Sequence, residues 1–134
     1  QMLNGCIGGL VAVTAEPLMP SPLAAILIGA VGGIIVVYGT KLLFSLQIDD
    51  VVGAVPAHLF AGIWGTLIVP ATNVDASFSA QLIGVVSVNA FVFIVSYIIW
   101  SIMKVSIGLR LSKEGETKGT DVTETGVIAY AIRD

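Results

Sequence analysis

Residues 78–104 read FSAQLIGVVSVNAFVFIVSYIIWSIMK, from Phe78 to Lys104, and Lys104 is the only charged side chain in the run. As a helix rising about 1.5 Å per residue, this stretch exceeds a hydrocarbon core of roughly 30 Å, so it crosses a membrane with tilt or with an extension beyond it. Such a surface requires lipid as its solvent. A segment in lipid must satisfy its own backbone hydrogen bonds, which makes it a helix.

The rest of the chain follows from that reading. Its 134 residues suffice for one domain, but 56% are hydrophobic and 11% charged, against roughly 45–50% and 25% in soluble domains. Residues 1–103 hold five charged side chains (Glu16, Lys41, Asp49, Asp50, Asp75), and residues 104–134 hold the other ten. An apolar body thus carries a polar tail. A net charge of -3 without a basic patch leaves no electrostatic footprint for nucleic acid. Cys6 is the only cysteine, which excludes an internal disulfide and a cysteine-based metal cage and predicts a small buried residue. The chain opens on Gln1, Met2 and Leu3 rather than on a basic targeting segment, and reads as a piece of a longer protein.

Three more stretches approach the roughly 20 apolar residues that a membrane span needs. They run from Met2 to about Met19, from Leu23 to about Leu46 and from Val51 to about Pro70. Pro17, Pro20, Ser21 and Pro22 end the first, Gly29, Ala30, Gly32 and Gly33 let a neighbour pack closely on the second, and Asp49 and Asp50 mark a watery turn before the third. The predicted architecture is all-α. It is a polytopic membrane helical bundle with four transmembrane helices (spans about 2–19, 23–46, 51–70 and 78–104) in a transmembrane region over 1–110. A tail over 111–134 must dock or stay mobile. The loops after the first and third spans lack lysine and arginine, whereas Lys41, Lys104, Arg110 and Lys113 fall on the opposite side with Tyr97 and Trp100 near the boundary. The positive-inside rule therefore predicts a multi-pass protein of the cell membrane with its C-terminus in the cytoplasm.

His58 is the only histidine, eight residues beyond Asp50. Along a helix that is about 12 Å from the turn, near mid-membrane. A titratable group at that depth usually faces a bundle interior or a watery path, so His58 is the first candidate pathway residue; the structural alternative is a neutral histidine bridging two helices. Gly62 and Gly65 leave a smooth face beside it, and Pro56 removes a backbone hydrogen bond two residues earlier, where a kink would orient the ring. One histidine without a carboxylate at i+3 or i+4 makes no metal site, and no cofactor is expected.

The remaining polar groups have structural readings beside functional ones. Asp49 and Asp50 are placed to cap the third helix; a catalytic pair with His58 would need a second histidine or a metal, so a membrane-embedded enzyme is the weakest reading. Glu16, just before Pro17, reads as a solvated helix-end carboxylate, though facing outward it would attract a cation. Asn4 and Thr14 lie about 80° apart around the first helix, close enough to look toward one pore or to hydrogen-bond to neighbouring helices.

Three ordered motifs resemble one family. Asn4-Gly5-Cys6-Ile7-Gly8-Gly9-Leu10-Val11-Ala12-Val13-Thr14-Ala15 is similar to the N-G-x-x-x-G-L-V-x-I-T-A helix of ammonium transporters (the Amt/Mep/Rh family). Ile48-Asp49-Asp50, followed by His58, Gly62, Trp64, Gly65 and Thr66, resembles that family's aspartate-to-histidine helix. Gly108-Leu109-Arg110, Gly119, Asp121, Gly126 and Tyr130 resemble its cytoplasmic tail.

The resemblance implies an eleven-helix fold that forms homotrimers with a pore in each subunit, this chain supplying the last four helices and the tail. It implies ammonium or ammonia as the substrate, with methylammonium as an analogue, and no enzymatic reaction. His58 then matches the second of two pore histidines that relay or coordinate ammonia and proton, Thr14 a threonine near the inner pore, and Asp50 the base of the histidine helix. A PII signal protein at the cytoplasmic face is an implied partner, and Thr123 matches a threonine that plant members phosphorylate. Leu59 replaces the usual glycine after the histidine, Thr125 stands where histidine is common, and the partner histidine and aromatic gate fall outside the chain. The alternative is an ammonium sensor of the same fold that signals through its tail.

Overall fold

The computed structural model describes residues 2–18 and 21–129. Every regular element among them is helical: α1 (Met2–Thr14), α2 (Pro22–Ser45), a third segment, α4 (Phe78–Ser106), α5 (Lys113–Lys118) and a π-helical turn (Asp121–Thr125). The third segment joins a π-helical turn (Val55–Phe60), α3 (Ala61–Ile68) and a 3-10 turn (Val69–Ala71). Helices α2 and α4 are long and apolar enough to cross a membrane, whereas α1 and the segment Val55–Ala71 are apolar but shorter.

The ends of the two shorter helices differ from the sequence expectation, for local backbone reasons. Helix α1 stops at Thr14 instead of running toward Met19, because Glu16 precedes Pro17 and the residue before a proline is pushed out of the helical region. The third segment begins at Val55 instead of Val51, because Gly53 turns the chain in the left-handed region (φ +71) and Pro56 can occupy only a first turn, where its missing N–H costs nothing. Helix α2 starts where Ser21 is extended and Pro22 presets the helical φ. At the start of α4 the Ser77 hydroxyl accepts the Ala80 N–H at 3.2 Å.

The chain forms two compact units, Gln1–Ala90 and Phe91–Asp134. In the first, α1, α2 and the third segment pack against one another, with α1 held on a seam of small residues. A methyl group at Gly8 would collide with Val36, one at Gly32 would stand 2.7 Å from the Ala12 methyl and 2.8 Å from the Gly8 carbonyl, and one at Gly65 would run into the backbone of Ala12. Lipid gives helices no hydrophobic reason to associate, so this close backbone approach holds them together. Val36, Ala57 and Ala61 form the buried centre, with Val11 packed against it. Trp64 fastens the third segment to α2 by donating its indole N–H to the Ile28 carbonyl at 3.1 Å. Cys6, expected to be buried, is exposed, because α1 turns its Gly8 and Ala12 face inward.

The second unit holds the end of α4, α5 and the turn Asp121–Thr125. Ser112 caps α5 by accepting the Gly115 N–H at 3.1 Å, and Arg110 pairs with Glu116. Gly119, at φ +100, ends α5 in a conformation that favours glycine. Helix α4 buries no residue along its described length.

Candidate functional site

Three neighbouring features set the start of the histidine segment. The Asp50 carboxylate accepts the N–H groups of Ala54 and Val55, each at 2.9 Å, so one side chain satisfies two free donors with a negative charge at the positive end of the helix. Pro56 and Ala57 are buried, which pins that side of the turn against α1 and α2. The Ala61 N–H reaches back to the Pro56 carbonyl, the wide π-type closure that accommodates a proline in the turn.

With Pro56 and Ala57 held inward, His58 projects outward and is exposed. Its imidazole makes no hydrogen bond with another described residue. It lines a cavity of about 350 Å³ with Leu59, Gly62, Ile63 and Thr66 on its own segment and Gly84, Val85, Val88 and Asn89 of α4 facing it. Apart from the histidine, Thr66 and Asn89 are the polar side chains of that lining. Asn89 donates its side-chain amide N–H to the Val85 carbonyl at 2.7 Å. Sequence reasoning missed Asn89; the available signal was a side-chain amide in the middle of an otherwise apolar span.

The other predicted residues lie elsewhere. Asn4 donates to the Val52 carbonyl at 2.7 Å and so ties the start of α1 to the loop before the histidine. Thr14, at the opposite end of α1, returns its hydroxyl to the Leu10 carbonyl at 2.6 Å. Neither lines the His58 cavity. Asp49 is exposed beside the capping Asp50. The two glycines differ: Gly65 sits against the Ala12 backbone, whereas a methyl group at Gly62 would meet the Val11 side chain at an ordinary 3.7 Å. Glu16 departs from its reading as a solvated helix end. It is 6% exposed and bridges two loops, accepting the Leu18 N–H at 3.2 Å and the Asn73 amide at 2.9 Å. Among the described residues no group of three or more histidine, cysteine, aspartate or glutamate side chains could hold a metal ion.

In the tail, Asp121 accepts the Ala129 N–H at 2.8 Å; that bond, then the one from Val122, holds its carboxyl below the usual range. The hydrogen bond from Arg110 lowers Glu116 and in turn raises the guanidinium. Thr123 donates to the Gly119 carbonyl at 2.8 Å, and Gly126 closes the turn in the left-handed conformation at φ 68. Tyr130 lies outside the described residues.

Two long apolar helices, a glycine seam and one histidine turned to an apolar cavity define a membrane-embedded helical protein. The family model of the Ammonium Transporter Family matches residues 1–130, and the chain belongs to that family. A Synechocystis sp. protein named as an ammonium transporter is 43% identical over 126 residues, covering 92% of this chain and 28% of its own length. The ammonium transporter Amt2 of Archaeoglobus fulgidus is 34% identical over 148 residues (95% of this chain, 31% of its own), and the ammonium transporter of Bacillus subtilis 32% over 147 (96% and 36%). The chain therefore spans about a third of the length of these relatives. No solved structure matches it.

Proposed function

We propose that the chain forms one wall of an ammonium or ammonia pathway in which His58 is the residue that meets the substrate. The observation that carries this reading is the exposed imidazole projecting into an apolar cavity from a turn whose other side is buried. Moving an intact cation through hydrocarbon is costly, while a neutral amine passes more readily, so a pathway of this kind benefits from a group that handles the proton separately. A neutral imidazole has one nitrogen that accepts and one that donates.

In this reading the partner histidine comes from outside the chain, Thr14 and Asn4 stand toward the two ends of the same path, and Asp49, Asp50, Gly62 and Gly65 support its wall. The protein is multi-pass and trimeric, with residues 111–134 as a cytoplasmic tail. Gly119, Asp121, Thr123, Gly126 and Tyr130 then belong to a regulatory tail, and a PII signal protein is the partner at the cytoplasmic face. The test is uptake of methylammonium by the full-length protein carrying His58→Ala. Uptake should fall to background at unchanged membrane expression, and a wild-type rate would reject the pathway role.

A further inference from the structure

We infer that Asn89 is a second substrate-contacting residue of the His58 cavity, its amide group offering hydrogen bonds to a small amine and setting the preference between N–H-rich and methylated amines. The inference rests on the proposed pathway through that cavity. Asn89 lies about 16 Å along α4 from Phe78, near the middle of a hydrocarbon layer of roughly 30 Å. Lipid offers a side-chain amide at that depth no hydrogen bond, so its partners must come from protein or substrate. From 78 to 90 the half-buried residues of α4 are Gln81, Val85 and Asn89, spaced by four, so one stripe of the helix is covered and Asn89 belongs to it. Val85 and Asn89 line the cavity of about 350 Å³ that His58 and Thr66 line from the third segment.

Hydrogen-bond counting separates Asn89 from the helical hydroxyls. Thr14, Thr40, Ser101 and Ser106 each return the O–H to the carbonyl four residues back, which uses the only donor of the side chain. Asn89 makes the same bond to the Val85 carbonyl at 2.7 Å, but an amide has two N–H groups and a carbonyl oxygen. Its other N–H and its oxygen make no hydrogen bond with another described residue, and neither does the His58 imidazole. Amide and imidazole together thus present two donor and two acceptor atoms to the cavity. A small amine matches that set, with N–H groups for the acceptors and, when neutral, a lone pair for a donor. Each methyl group on the amine replaces one N–H, so the amide favours ammonium over its methylated analogues. A leucine in its place would offer contact to the methyl group and nothing to the N–H.

The experiment is uptake of radiolabelled methylammonium by the full-length protein in membrane vesicles, with unlabelled ammonium as competitor. The readout is the ratio of the ammonium inhibition constant to the methylammonium KM, which a change in folding or expression does not move. Asn89→Leu should shift that ratio about tenfold toward methylammonium, the weight of one hydrogen bond. Asn89→Ala, which reports even where leucine does not fit, should shift it in the same direction. Asn89→Gln keeps the amide and should stay near the wild-type ratio. A wild-type ratio in either apolar variant, or the same shift in Asn89→Gln, overturns the contact even where the uptake rate falls. His58→Ala measured beside them separates the two readings. Uptake lost in His58→Ala with an unmoved ratio at Asn89 keeps the pathway and rejects the contact, wild-type uptake in His58→Ala with a moved ratio does the reverse, and no uptake by wild type overturns both.

Discussion

Gly65 and Gly62 are three positions apart on one helix, and the same substitution should have opposite effects at them. A methyl group at Gly65 would stand 2.8 Å from the Ala12 Cα and 2.9 Å from its carbonyl carbon, both backbone atoms of α1 that no rotamer change can move. Overpacking of this kind costs about 1–3 kcal/mol, and a rigid obstacle belongs at the upper end of that range. Alanine also regains the helix propensity that glycine lacks, about 0.8–1 kcal/mol, so Gly65→Ala should destabilise by roughly 2 kcal/mol. At Gly62 the new methyl meets the Val11 side chain at 3.7 Å, an ordinary contact, so the propensity gain stands nearly alone and Gly62→Ala should stabilise by up to about 1 kcal/mol. The assay is reversible unfolding of the full-length protein in mixed micelles with increasing SDS. Ala12→Gly should not rescue Gly65→Ala, because the obstacle is backbone and not the alanine methyl. Equal stability of Gly65→Ala and Gly62→Ala, or rescue by Ala12→Gly, would refute the seam as the device that holds α1 to the third segment.

Two further outcomes follow from the capping carboxylates. Asp50→Asn should cost about 1 kcal/mol in the same unfolding assay, since it removes the charge from two N–H contacts at a helix start, while Asp49→Asn should be close to neutral. Asp121 and Glu116 have lowered folded values, so their contribution to tail structure is complete above the ordinary carboxylate range and is lost as pH falls through the lowered values. Amide-exchange protection at Ala129 should hold from neutral pH down to about pH 4 and disappear below it, and Asp121→Asn should abolish it already at neutral pH.

What the sequence discloses here depends on the distance over which each feature is decided. Helices α2 and α4 are legible because an uninterrupted apolar run in lipid has no alternative to a helix. The ends of α1 and of the third segment are less legible because they turn on single backbone events, Glu16 before Pro17 and the left-handed Gly53. The count that sets His58 about 12 Å beyond Asp50 takes the chain as helical from the turn onward, whereas the helix starts only at Val55, and the cavity is equally hidden from the sequence, since Asn89 reaches it from another helix. Glu16 is the plainest case. Its position at a helix end suggested water, and its burial depends on Asn73, 57 residues further along the chain.

The packing of the third segment also constrains any partner of His58. Pro56, Ala57, Ala61 and Gly65 are buried toward α1 and α2, and they occupy the inward side of the turn and of the helix that follows it. Turning the imidazole inward would bring it onto a centre filled by Val36, Ala57 and Ala61, at 1%, 2% and 0% exposure, where no space or hydrogen-bond partner awaits it. A hydrogen bond to His58 must therefore come from the cavity side. Among the described residues that side offers Thr66 and Asn89. The glycine seam that fastens α1 thus also determines the direction in which the histidine points. Loosening it at Gly65 should lower methylammonium uptake by the full-length protein, even though Gly65 itself does not line the cavity.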